Sequence, residues 1–89
     1  MTHKQLLRMG NQRMVTYLFS RTLARLGIPR ECWGPVAYYY WMTDGSIPRV
    51  DRERLMDDIR SGKLMKRHFF GPMRGGLMME WLRAREAAR

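Results

Sequence analysis

Glycine and proline punctuate this chain so often that only short helices fit between them. The first firm segment is residues 11–27. Asn11 is suited to cap it, and Gly27 followed by Pro29 stops it. Val15, Leu18, Phe19, Thr22 and Leu26 recur at helical spacing and form one apolar face. Arg13, Tyr17, Ser20, Arg21 and Ala24 fall on the opposite face. Residues 3–9 read as a short preceding helix interrupted near Gly10.

Residues 28–35 form a Pro/Gly-punctuated connector. The aromatic run Val36–Thr43 then reads in two ways. Pro35 suits the first position of a helix. Aromatics ending at Asp44-Gly45 also signal a short β-hairpin over residues 38–49, with Pro48 confining the returning strand to an edge. We assign helix. Asp51 caps a helix over residues 52–61 that turns Leu55, Met56 and Ile59 inward and stops at Gly62. Lys63–Gly76 is a basic, aromatic, Gly/Pro-containing segment, and Leu77–Ala88 is a final helix with Leu77, Met78, Trp81 and Leu82 on one face. The expected fold is mainly α: one small basic domain of three to four helices over residues 1–89. A chain of this size buries roughly two-thirds of its unfolded surface.

Charge is distributed unevenly. Lys4, Arg8, Arg13, Arg21, Arg25 and Arg30 all precede the first acid, Glu31, so residues 1–30 carry +6 with no counter-charge. The other 59 residues hold 11 basic and 8 acidic groups, which completes the net +9. Arg outnumbers Lys by 14 to 3, and a guanidinium forks onto phosphate or carboxylate where an ammonium acts as a point charge. A polyanion or an acidic partner follows from this balance. The nine Met and three Trp point in addition to adaptable, interface-forming surface.

One cysteine, Cys32, makes no intramolecular disulfide, so a reducing intracellular compartment is the default. The acid-free, Arg-bearing start also has the character of a mitochondrial targeting segment, which would place the protein in the matrix. The longest apolar run, Val36–Met42, falls short of the roughly 20 residues that a transmembrane helix needs.

Catalytic chemistry finds little support. His3 and His68 lie near opposite ends and have no Cys or His at metal-ligand spacing. Cys32 lacks a nearby His, so we expect it to be inert. Asp57 and Asp58 point about 100° apart on a helix and serve as partners for Arg54 or Arg60 rather than as an acid pair. The loop Gly71–Gly76 lacks the Lys-Ser/Thr of a phosphate loop, although Gly75-Gly76 would leave backbone N–H groups open to an anion at a helix start. We expect no enzyme activity, no cofactor, no metal and no small-molecule substrate.

The string Trp41-Met-Thr-Asp-Gly45-Ser-Ile47-Pro48-Arg49, followed by a helix with Leu55 and Ile59, resembles small helix-turn-helix regulators of phages and mobile elements. In these, a recognition helix ends near a Trp and a Gly-x-Ile-Pro turn leads to the next helix. Leu26-Gly27-Ile28 resembles their first-helix exit, so the resemblance spans about residues 13–60. The chain departs from it between Gly27 and Trp41, where Trp33-Gly34-Pro35 and neighbours are extra.

The expected function is therefore a non-enzymatic protein that binds nucleic acid, DNA or RNA, by neutralising phosphates. The candidate contacts are Arg13, Arg21, Arg25, Arg30, Lys63, Lys66, Arg67 and Arg74, with any sequence reading near Val36–Met42. In the segment Lys63–Phe70, exposed Phe or His would stack on unpaired bases, or Phe69 and Phe70 would be core. Glu31, Asp44 and the acids of residues 51–58 should face away from the polyanion. Two alternatives stand beside this: a small accessory subunit of a mitochondrial complex or organellar ribosome, and a phage-encoded inhibitor that sets its basic face against an acidic protein surface.

Overall fold

The computed structural model describes residues 12–44, 50–65 and 70–88. The expected helix over residues 3–9, His3, Gly10, the Asn11 cap, residues 45–49, Lys66, Arg67, His68 and Phe69 lie outside the described residues. Among the described residues four α-helices form, α1 (Gln12–Leu26), α2 (Trp33–Asp44), α3 (Arg52–Arg60) and α4 (Pro72–Ala87), with a 3-10 turn over Arg30–Cys32 leading into α2. The fold is the expected small mainly-α domain.

α1 ends through backbone geometry that only its sequence allows. Gly27 takes φ 72°, its N–H donates to Ala24 O at 3.1 Å, and Ile28 N–H reaches back to Leu23 O at 3.3 Å. This is a Schellman closure, and it brings the apolar pair Ile28 and Leu23 together in the core. Trp81 of α4 then donates from Nε1 to Leu26 O at 3.1 Å, satisfying a carbonyl left open at the α1 terminus.

The aromatic run is helical, so the hairpin over residues 38–49 does not form: α2 continues through Asp44. Its physical reason lies in burial. Val36, Ala37, Tyr39, Tyr40 and Trp41 are all buried, and a helix that is apolar on nearly all sides belongs in the interior. α2 packs most extensively against α1, and Val15, Phe19 and Leu23 of α1 share the core with it. Tyr39 and Tyr40 meet edge to face at 5.0 Å between ring centroids.

α3 is capped as the sequence implies. Asp51 Oδ1 accepts from Arg54 N–H at 2.8 Å. Leu55, Met56 and Ile59 are buried. Tyr40 O–H donates to Asp58 Oδ2 at 2.7 Å and joins α2 to α3, while Arg54 lies over the Tyr40 ring at 4.9 Å. Burial, followed by the bond to Asp58 and its negative charge, pushes the Tyr40 hydroxyl well above its ordinary pKa.

α4 begins five residues before the expected Leu77, at Pro72, with Gly71 as its N-cap. Pro72 is preset for a first helical position. Gly75 N–H donates to Gly71 O at 2.9 Å, so it belongs to the helix and is not an open anion donor. Met65 approaches Gly75 closely, at 3.7 Å from where a Cβ would stand. Met78, Trp81 and Leu82 fill the core from this helix, and Phe70 is buried just before it, which assigns Phe70 to the core rather than to base stacking.

Candidate functional site

Helical spacing places Arg13, Thr16, Tyr17 and Ser20 in one stripe along α1. The reversal at Gly27 carries the chain back past this stripe. Pro29 then opens the 3-10 turn, where Cys32 N–H donates to Pro29 O at 2.9 Å. Trp33 Nε1–H donates to Ile28 O at 2.8 Å and fixes the indole at the start of α2. The result is an open cleft of about 420 Å³ between the α1 stripe and Arg30, Trp33 and Gly34. Among the described residues, two guanidiniums, two aromatic rings and two hydroxyl side chains line it, and no acid does.

The two aromatics differ in what they offer. Arg30 lies over the Trp33 ring at 5.3 Å from its centroid, so one indole face is already covered by a cation. Tyr17 is 74% exposed, and its ring is open to solvent at the cleft's edge.

Of the eight sequence-expected phosphate contacts six are described, and two of these line the cleft. Arg13 and Arg30 share the cleft. Arg21 is exposed one turn beyond Tyr17 on α1. Arg25 has rotated further round the helix and donates from Nη2 to Val50 O at 3.0 Å, so it tethers the segment entering α3. Lys63 is exposed just after α3, and Arg74 is exposed in the first turn of α4. Lys66 and Arg67 lie outside the described residues.

Val36–Met42 is corrected as a base-reading surface. Five of these seven residues are buried in the core, which leaves no continuous face for a groove. The extra residues before Trp41, noted as the departure from the helix-turn-helix regulators, include the buried start of this helix.

Three acids, Asp57, Asp58 and Glu86, have arginine partners. Arg60 pairs with Asp57 at 2.9 Å and approaches Glu86 at 3.7 Å, and Arg54 lies 3.8 Å from Asp58. Among the described residues every one of these ion pairs lies within α3 or between α3 and α4, and none involves α1. Glu31 is exposed on the 3-10 turn but does not line the cleft.

Cys32 is buried, and its Sγ–H donates to Arg74 O at 3.6 Å. Burial, with a smaller contribution from Glu31, pushes its pKa up to about 11, which keeps it a thiol at neutral pH. Among the described residues no group of three or more His, Cys, Asp or Glu is placed to hold a metal, and no helix is long and apolar enough to cross a membrane. Sequence reasoning named Arg13 and Arg30 but missed Tyr17, Ser20 and Trp33, because nothing local announces that residues 13–20 will face residues 30–34. The chain matches no family model, no curated protein and no solved structure.

Proposed function

We propose that the chain is a non-enzymatic nucleic-acid-binding protein that engages its ligand through the cleft between α1 and the start of α2. One observation carries this reading: among the described residues, Arg13 and Arg30 line a cleft without an acid beside exposed Tyr17, while the ion pairs lie on α3 and α4. Arginine beside an exposed aromatic is the combination that meets phosphate and base together. Resemblance to phage and mobile-element regulators supports the class of ligand, but base reading by α2 is not part of the proposal. Arg21, Lys63 and Arg74 extend the cationic surface and contribute to phosphate attraction.

Salt is the test. Binding that neutralises about six phosphates gives a slope of log K against log salt near −5 on duplex DNA and near −4 on a single strand. Fluorescence polarisation over a salt series should return a slope in this range. A flat response would remove nucleic acid as the ligand.

A second reading, an accessory subunit of a larger assembly, draws on the exposed Met42 and Met73, at 53% and 75%. Methionine at a surface is suited to adaptable protein contacts. That reading requires the isolated chain to be poorly folded or aggregating, which a thermal melt decides.

A further inference from the structure

We propose that the cleft is a subsite for an unpaired nucleotide, an inference that rests on the nucleic-acid reading above and narrows it to single-stranded ligands. A phosphodiester sits between Arg13 and Arg30, and the neighbouring base stacks on Tyr17.

Three features of the cleft select this occupant. Its volume of about 420 Å³ falls in the range that holds a small organic group, which suits one nucleotide. Trp33 is held by its bond to Ile28 O and covered on one face by Arg30, which leaves Tyr17 as the lining ring with open faces. A ring with open faces is rewarded only by a base whose own face is free. Paired bases in a duplex have both faces stacked, so a duplex presents phosphates to the two guanidiniums and nothing to Tyr17. Ser20, on the same helical stripe, brings a hydroxyl that donates to or accepts from a sugar or base edge.

The guanidinium over Trp33 has a consequence for geometry. The contact between Arg30 and the Trp33 ring, 5.3 Å from Cζ to centroid, limits the orientations that the guanidinium samples before the ligand arrives. Less rotamer freedom is then lost on binding, and the phosphate position is set relative to the base platform.

Fluorescence polarisation with a labelled oligothymidylate and with a duplex of equal length tests this on the full chain. Wild type should bind the single strand more tightly than the duplex. Tyr17→Leu should weaken single-strand binding roughly tenfold, the loss of about one stacked base, and so lower the single-strand to duplex ratio. Tyr17→Phe keeps the ring and should hold single-strand affinity within about twofold. Tyr17 is 74% exposed, so neither variant disturbs the core. Arg83→Ala, exposed on α4 and outside the cleft, should leave the ratio at its wild-type value. Equal affinity for both ligands, indifferent to Tyr17→Leu, would overturn the unpaired-nucleotide subsite while leaving salt-dependent nucleic-acid binding in place. If neither ligand binds, or if polyglutamate competes as well as the oligonucleotide does, the nucleic-acid reading falls with it.

Discussion

Cys32 shows how burial decides what a reactive side chain does. The thiol has no exposed surface, donates to the Arg74 carbonyl and carries a pKa raised from 9.0 to about 11. A group that holds its proton more tightly when folded than when unfolded contributes stability that is complete below the unfolded pKa. That contribution is lost as pH rises through the window from 9.0 to about 11. The full loss is about 2 to 3 kcal/mol for Cys32. Tyr40 adds a loss of the same sign that starts near its ordinary pKa of 10.0. Urea titrations between pH 8 and pH 11 should therefore show falling stability, and Cys32→Ser should flatten the first part of the fall. Serine keeps a donor for Arg74 O, and polyanion affinity at neutral pH should stay at the wild-type level. Loss of binding in a folded Cys32→Ser variant would reveal a chemical role for the thiol.

Elements in this protein are ended by local chemistry and placed by packing, and the two were not equally legible. Gly27 is the clearest case of the first. It adopts φ 72°, and a Cβ there would stand 2.8 Å from Arg85 Nη2, itself stacked 5.1 Å from the Trp81 ring centroid. The left-handed backbone costs an L-residue about 1 to 2 kcal/mol, while the flexible Arg85 terminus can move aside. Gly27→Ala should thus lower stability by about 1 to 2 kcal/mol, and nearly the same loss should appear in an Arg85→Ala background. Disappearance of the loss in that background would mean that the contact with Arg85, not the backbone, sets the requirement. The stops at Gly27 and Gly62 and the Asp51 cap were readable because each depends on neighbours within a few residues. The start of α4 was not, since Gly75 and Gly76 disfavour helix, and the helix instead starts from Pro72, with Met65 lying near Gly75. Val36–Thr43 stayed balanced between helix and hairpin because a short apolar run has no polar face to reveal its period. The cleft was least legible of all. Arg13 and Arg30 were singled out for charge alone, and only the reversal at Gly27 brings Arg30 and Trp33 to the Tyr17 stripe.

Across the whole molecule, charge and core are separated along α1. Val15, Phe19, Leu23 and Leu26 hold the domain together from one face, while Arg13 and Arg21 stand in water on the other. Asp57, Asp58 and Glu86 on α3 and α4 are engaged by Arg54 and Arg60, so the α1 arginines stand apart from these ion pairs. Stability and binding should consequently respond to different substitutions. Arg13→Ala combined with Arg21→Ala removes two exposed charges, which contribute only about 0 to 1 kcal/mol each, and alanine favours helix at both positions. The double variant should keep the helical circular dichroism signal and melt within a few degrees of wild type. Its affinity for nucleic acid should fall, and the salt slope should become shallower by about two, one for each phosphate contact removed. The wild-type melt has to come first, because an unfolded Arg-rich chain binds polyanions without any cleft. A cooperative wild-type transition, followed by a weaker and less salt-dependent double variant, assigns binding to the folded α1 surface. An aggregated or molten wild type would instead place the exposed Met42 and Met73 against missing partners and favour the accessory-subunit reading. A cooperative melt with the salt slope unchanged in the double variant would move the phosphate contacts off α1, to Lys63, Arg74 and the residues around them.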